Sequence, residues 1–249
     1  MSIAATPRPQ SITSLTNRFW NSYAKVYGSV ENLVPHRLML DEVAMQVPQS
    51  ARRVLDAGCG SGALLSKLAN YRPNLELFGT DFSGDMLERA RERNPSAQLI
   101  PADLNNPLPF EDGYFDCVVS TNALYAVASP ADAIHEFNRV LQPQGKMVIS
   151  TPKQRAVGLK ILASHVRSVS VARGIGDLVK FGTCLVPNLI IEKMARKKAY
   201  HFLSREEVLS LPGEVEILKD TFANQNWLFT LLKQKKGAAV KTIAPSVNT

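Results

Sequence analysis

Three carboxylates and one glycine-rich run are the residues of this sequence best suited, by type and spacing, to chemistry. Asp56 stands two residues ahead of the run Gly58-Cys59-Gly60-Ser61-Gly62-Ala63. Asp81 follows about 20 residues on, and Asp103 closes a further apolar stretch. Glycines alternating with small residues let a backbone turn tightly, expose its N–H groups and admit a ligand to contact distance. A carboxylate at a strand end can accept from paired hydroxyls, and bonds of this charge-assisted kind contribute about 1.5–3 kcal/mol each.

The surrounding pattern supplies the elements that must position these groups. Val54 and Leu55 form a short apolar run that suits a buried strand, and Ala63, Leu64, Leu65, Leu68 and Ala69 keep helical spacing after the glycines. A strand feeding a glycine turn feeding a helix opens a nucleotide-binding α/β unit. A second strand is expected over Leu75–Asp81 and a helix over Phe82–Glu92 with Ser83 as its N-cap. A third strand follows over Ala97–Pro101, with Asp103 just past its end. Phe115–Ser120 is a continuous apolar run, as in a strand buried on both faces. A helix over Asp132–Leu141 is broken at Gln142-Pro143-Gln144-Gly145, and a fifth strand covers Lys146–Ser150. This alternation requires a parallel, doubly wound sheet. Ahead of it, Phe19, Trp20, Tyr23, Val26 and Tyr27 crowd one side of a first helix. Leu38, Leu40, Val43, Ala44 and Val47 mark a second, closed by Pro48. Near the other end, Ser204 and Glu207 form a capping box, and Glu214–Phe222 and Trp227–Lys233 read as two antiparallel strands closing one sheet edge.

Two ligand families fit a glycine turn followed by an acid on the next strand. The literal string satisfies the permissive dinucleotide pattern G-x-G-x-x-G/A. Three further features decide against a nicotinamide dinucleotide: Asp56 before the loop, Asp103 after the third strand, and the Leu141–Gly145 turn before the fifth. Together with the strings VLDAGCGSG, PFEDGYFD (109–116) and EFNRVLQPQG (136–145), they resemble the class I S-adenosylmethionine-dependent methyltransferases. The resemblance runs from about Val54 to Pro152. It is nearest the small-molecule branch that includes ubiquinone/menaquinone and malonyl-carrier-protein methyltransferases. It implies an α/β, Rossmann-like, doubly wound and mostly parallel seven-stranded sheet with an N-terminal helical segment and a helical cap after the fifth strand.

The resemblance also implies a site for S-adenosyl-L-methionine. Asp81 would accept both ribose hydroxyls, while Asp103 and the backbone of Leu104 would meet the adenine. Gly58, Gly60 and the loop N–H groups would approach the methionyl part, and Asp56 would help hold its ammonium. Asn122, just past the fourth strand, would border the sulfonium and the substrate mouth. Cys59, Phe82 and Met86 complete the cofactor-binding set. Other readings stay open beside these: Asp56 orients the loop, Asp103 is a turn residue, Cys59 is a small loop residue. Asp112 and Asp116 are read as fixing the turn into the fourth strand, and His135 as lying on a solvated helix face. In this family an aromatic N-terminal helix folds over the cofactor pocket. Phe19, Trp20, Tyr23 and Tyr27 resemble it, packing on the sheet edge being the alternative. Methyl transfer from a sulfonium is an in-line displacement, so alignment and exclusion of water carry much of it, and a base is needed only for a nucleophile that bears a proton. Tyr23, Tyr125, His165 and His201 are the candidates for that base.

Composition sets the partners. The chain has 249 residues and a net charge of +7. Between Thr151 and Tyr200, ten Lys and Arg face only Asp177 and Glu192, a local net of +8, so the rest of the chain sums to −1. The basicity therefore belongs to one segment, which is also rich in Leu, Ile and Val. That segment is expected to cap the site (about 154–203). Its lining would suit a hydrophobic small-molecule acceptor methylated at O, N or C, and its cations an anionic carrier or membrane surface. A solvated basic face is the plain alternative. Nucleic acid is not expected as a partner: the acceptor signature Asn/Asp-Pro-Pro-Tyr/Phe is replaced by Ser120-Thr121-Asn122-Ala123. A nucleic-acid or protein methyltransferase and a non-catalytic cofactor-binding partner protein are the competing readings. Residues 1–14 read as a leader, 15–234 as the methyltransferase domain and 235–249 as a tail. Cys59, Cys117 and Cys184 are isolated, as in a reducing cytoplasm, and suggest neither disulfides nor a metal site.

Overall fold

The computed structural model describes residues 20–22, 28, 30–153, 158–169 and 201–233. Its strands are β1 (Arg53–Ala57), β2 (Glu76–Asp81), β3 (Gln98–Pro101), β4 (Phe115–Thr121), β5 (Leu141–Pro152), β6 (Glu214–Thr221) and β7 (Asn226–Leu232). Its helices are α1 (Val34–Gln46), α2 (Ala63–Tyr71), α3 (Gly84–Arg93), α4 (Pro130–Val140), α5 (Gly158–Arg167) and α6 (Arg205–Leu209), with a 3-10 turn at Leu124–Ala126. The sheet runs in the order β3-β2-β1-β4-β5-β7-β6. β1 to β5 are parallel, and β7 and β6 close the edge antiparallel. The strand order reverses between β1 and β4, where open α/β sheets hold their ligands.

Alternation along each central strand builds two cores. Val54, Leu77, Cys117, Val119 and Val148 face one side with α1, α2 and α3. Leu55, Phe78, Val118, Met147 and Ile149 face the other with α4 and Val208 of α6. The expected local signals hold: the Ser83 side chain accepts from the Met86 N–H to cap α3, and Ser204 and Glu207 form the capping box of α6. The two family-like stretches are tied to each other by Arg139. Its guanidinium donates to the carbonyls of Leu108 and Phe110 and pairs with Asp112 and Glu136, while the Arg139 carbonyl accepts from Gly113. Asp116 accepts from the N–H groups of Arg52 and Arg53, both at 2.7 Å, and so fixes the start of β1. Asp112 and Asp116 thus shape the entry to β4, and His135 is exposed.

Pro35 sits in the first turn of α1, where its missing N–H costs nothing. On α1, Leu38 is 54% exposed although the apolar pattern includes it, and His36 and Met39 are buried. One expectation needs correction. The break at Gln142–Gly145 is not a loop between elements but a bulge inside β5, opposite Asp116 between the paired residues Phe115–Leu141 and Cys117–Lys146. Among the described residues no helix is long and apolar enough to cross a membrane. The leader, the tail, Phe19, Tyr23, Val26, Tyr27, and the capping segment over 154–157 and 170–200 lie outside the described residues.

Candidate functional site

A cleft of ≈ 630 Å³, its open mouth included, lies over the C-terminal ends of β1, β2, β3 and β4. Gly58 and Gly60 of the loop, Asp81, Phe82 and Met86 after β2, Asp103, Leu104 and Asn105 after β3, and Asn122 and Ala123 after β4 line it. Trp20, Ala126 and Val127 form part of its wall. Eight of the ten residues expected to bind a cofactor therefore meet in one cleft: Gly58, Gly60, Asp81, Phe82, Met86, Asp103, Leu104 and Asn122.

The glycine loop is shaped by close approach. At Gly58, with φ +78°, an added Cβ would lie 2.4 Å from the Cβ of Ala123; at Gly62, with φ +77°, it would lie 2.3 Å from Nδ2 of Asn94. Both positions need a residue without a side chain. The loop N–H groups, however, are not left free for a ligand as expected. Gly58 and Cys59 both donate to the Thr80 carbonyl at 2.8 Å, Gly60 donates to Oδ2 of Asp81 at 2.9 Å, and Gly62 donates to the Cys59 carbonyl at 3.0 Å. These bonds moor the loop to the end of β2, so it offers a close-packed backbone surface instead of a row of donors.

Asp81 is buried, and its other oxygen accepts from the Ser83 N–H at 2.9 Å. Burial pushes its carboxyl up to about 6, against the pull of the Ser83, Gly60 and Phe82 N–H groups. Asp103 both lines the cleft and makes a turn: its Oδ1 accepts from the N–H of Asn105 at 2.9 Å and from the Asn105 side chain at 2.6 Å. The turn reading and the site reading are thus compatible.

Asp56 and Cys59 stand apart from the cleft wall. Asp56 lies mid-sheet between Gly79 of β2 and Val119 of β4, fully buried, and neither carboxylate oxygen has a hydrogen-bond partner among the described residues. Burial, then the charge of Asp81, pushes its carboxyl up to about 8. The Cys59 side chain packs against Gly79 and borders a smaller recess shared with Glu31 and His36, and burial raises its thiol well above the usual value. On that side of the loop, Glu31 accepts from Ser61 and Arg93, and Arg93 donates to Ser61 at 3.0 Å.

The candidate bases fall elsewhere. Tyr125 is buried, its ring stacked on Phe202 and tilted against Trp20, and its carbonyl accepts from His201 at 2.7 Å. His165 is 1% exposed, and its Nδ1 accepts from the N–H of Val34, the first residue of α1, at 3.1 Å. None of Tyr125, His165 and His201 lines the cleft, whose only ionisable side chains among the described residues are Asp81 and Asp103. Sequence reasoning missed Asn105, readable as an Asx-turn partner of Asp103, and Asn226. The latter donates from Nδ2 to Oδ1 of Asn122 at 2.7 Å and to Oγ of Ser150 at 3.0 Å, and carries no local signal.

Comparison with known proteins matches residues 55–149 to the Methyltransferase domain family. The chain is 35% identical over 147 residues to a 37.1 kDa protein of a Streptomyces fradiae transposon, covering 58% of this chain and 39% of that one. It therefore spans well under half the length of that relative. It is 32% identical over 182 residues to the 2-phytyl-1,4-naphtoquinone methyltransferase of Nostoc punctiforme, covering 66% of this chain and 78% of that protein. The fold is that of an S-adenosylmethionine-dependent methyltransferase from Thermotoga maritima, with a TM-score of 0.56 at 19% identity over 88% of this chain and 97% of that one. An identity of 32% sustained over most of a named methyltransferase, on the fold such enzymes share, settles the lineage: this chain belongs to the S-adenosylmethionine-dependent methyltransferases.

Proposed function

We propose that the chain transfers a methyl group from S-adenosylmethionine, held in the cleft over β1–β4, to a small hydrophobic acceptor in the cytoplasm. The observation that carries this reading is Asp81: a carboxylate at the end of β2, in the cleft and bonded to the glycine loop of β1. Its remaining lone pairs suit the ribose hydroxyls, with Asp103 and Leu104 toward the adenine, Gly58 and Gly60 toward the methionyl part, and Asn122 at the substrate mouth. Phe82, Met86 and Trp20 supply apolar walls. The nucleophile's lone pair forms the new bond to the methyl carbon as the carbon–sulfur bond breaks, its pair passing to sulfur. What the chain adds is alignment and a dry mouth.

The acceptor reading draws on two further supports. The Nostoc relative is named for a phytyl-bearing naphthoquinone, an apolar molecule. Residues 154–203, read as a cap, combine an apolar composition with the basic surplus of the chain, which suits a lipid-like acceptor presented by an anionic carrier or membrane surface. Calorimetry should show micromolar-range binding of S-adenosylmethionine or S-adenosylhomocysteine without comparable binding of NAD. A radiolabelled-methyl assay over quinone, phenol and lipid extracts should give an apolar labelled product. Tight NAD binding, or cofactor binding with no transfer to any pool, would sink the reading.

A further inference from the structure

The side chain of Asn122 reaches the cleft with its polarity already set. Its backbone takes the left-handed conformation, φ +53°, and its N–H donates to the Ser150 carbonyl at 2.8 Å. Its Oδ1 accepts from Nδ2 of Asn226, 2.7 Å away on the antiparallel strand β7. Asn226 is 1% exposed, and the same Nδ2 donates to Oγ of Ser150 at 3.0 Å and faces Sδ of Met39 at 3.5 Å. An amide nitrogen has two N–H groups, and that of Asn226 gives one to Oδ1 of Asn122 and one to Oγ of Ser150, with the Met39 sulfur in van der Waals contact. That arrangement propagates: with Oδ1 of Asn122 committed inward, its Nδ2 is left for the cleft, and among the described residues nothing accepts from it.

We propose that Asn226 is a positioning residue that holds the Asn122 amide as an N–H donor toward the reacting atoms, and that the acceptor is therefore a molecule with an ionisable hydroxyl, a phenol or enol, methylated as its anion. This rests on the reading of the cleft as the methyl-transfer site. A donor at that place stabilises an oxyanion. It opposes a neutral amine, whose own N–H groups would need an acceptor there. Of the candidate bases within the described residues, neither Tyr125, His165 nor His201 lines the cleft, and Asp81 and Asp103 are its only ionisable side chains there. An acceptor that ionises by itself requires no enzymic base. Its proton goes to solvent before transfer. The anion's electron pair then forms the bond to the methyl carbon, at oxygen or at the carbon conjugated with it. The carbon–sulfur pair leaves with S-adenosylhomocysteine. If the new bond is at a ring carbon, that carbon afterwards loses its hydrogen as a proton.

The test reads ionisation and not turnover. The full chain is saturated with S-adenosylhomocysteine and titrated with 4-nitrophenol, whose coloured anion reports its own protonation state. The parent should prefer the anion by about ten- to a hundredfold more than does Asn122→Gly, which keeps the backbone conformation and removes the amide. Asp81 and Asp103 act alike on both proteins, so their charge cancels in the comparison. Asn226→Leu removes the donor that fixes the Asn122 amide without adding a charge, so its anion preference should fall toward that of Asn122→Gly. Equal anion preference in parent and Asn122→Gly overturns the inference, as does failure of the probe to bind the saturated protein. A tenfold loss of S-adenosylhomocysteine affinity in Asn122→Gly overturns it too, by placing the donor on the cofactor. If the parent binds no S-adenosylhomocysteine at all, it is the proposed function that fails, and this inference with it.

Discussion

The N–H of Gly60 donates to Oδ2 of Asp81 at 2.9 Å, so the glycine loop after β1 and the acid at the end of β2 are one piece of structure. The second oxygen of the same carboxylate accepts from Ser83, whose own side chain caps α3. One buried acid thus fixes a loop, a strand end and a helix start. Each carboxylate oxygen has two lone pairs, so this scaffolding leaves capacity for a ligand's hydroxyls.

Removing Asp81 should therefore cost more than two ligand bonds. Asp81→Ala should weaken S-adenosylmethionine binding by about ten- to a thousandfold, each charge-assisted bond contributing about 1.5–3 kcal/mol. Asp81→Asn keeps one oxygen for the loop and should fall between Ala and the parent. Calorimetry on the folded variants checks this; unchanged affinity in the Ala variant would take Asp81 out of the site.

Gly58 gives a second, independent handle on the loop. Gly58→Ala imposes a left-handed conformation on an L-residue, costing about 1–2 kcal/mol, and drives its Cβ into Ala123. Because Ala123 adjoins Asn122, the displacement reaches the mouth of the cleft. Cofactor affinity should drop at least tenfold while the circular dichroism of the folded protein is kept. Normal affinity would mean that the loop relaxes freely.

The parts of this molecule legible in its sequence are those set by local chemistry. The glycine run, the Ser83 cap, the Ser204–Glu207 box and the apolar run of β4 each carry their cause within a few residues. The edge hairpin is legible because alternating strands joined by a short turn pair with each other. What escapes are partners far apart in the chain: Val34 with His165, and Asn122 with Asn226. The engaged loop N–H groups escape for another reason. Their acceptor is a backbone carbonyl, that of Thr80, which any residue would supply.

His165 supplies a stability prediction where the sequence suggested a catalytic one. Its Nδ1 satisfies a backbone N–H at the start of α1 that no helical carbonyl can reach. His165→Ala should destabilise the fold by about 1–3 kcal/mol in urea unfolding, the penalty of a buried unsatisfied donor. The pH profile of methyl transfer should keep its shape. A lost limb of that profile would return His165 to the chemistry.

The basic surplus between Thr151 and Tyr200 predicts a salt dependence. Attraction between exposed charges is screened beyond about 8 Å at physiological ionic strength. Added salt should therefore raise KM for a carrier- or membrane-presented acceptor and leave kcat nearly unchanged. Reversing Arg196, Lys197 and Lys198 to Glu should act like high salt with cofactor affinity intact. Parent-like KM in the triple variant at low salt would make the cluster a solvated face.

Asp56 makes stability depend on pH in an unusual direction. Its carboxyl is pushed from the ordinary 3.8 to about 8, chiefly by burial. From roughly pH 4 to 8 the folded chain thus keeps a proton that the unfolded chain has released. The stability this gives is fully present below about pH 4 and is lost as pH rises to about 8, at about 1.4 kcal/mol per pH unit. Asp81, raised to about 6, adds the same sign between about pH 4 and 6. His36, lowered by burial to about 4, has the opposite sign: its share is lost as pH falls from 6.5. The window from about pH 6.5 to 8 therefore belongs to Asp56. Urea midpoints of the ligand-free parent should fall across it, while those of Asp56→Asn, which carries no titrating proton, should stay level. A parent whose midpoint holds or rises from pH 6.5 to 8 would mean that Asp56 is already ionised beneath the loop.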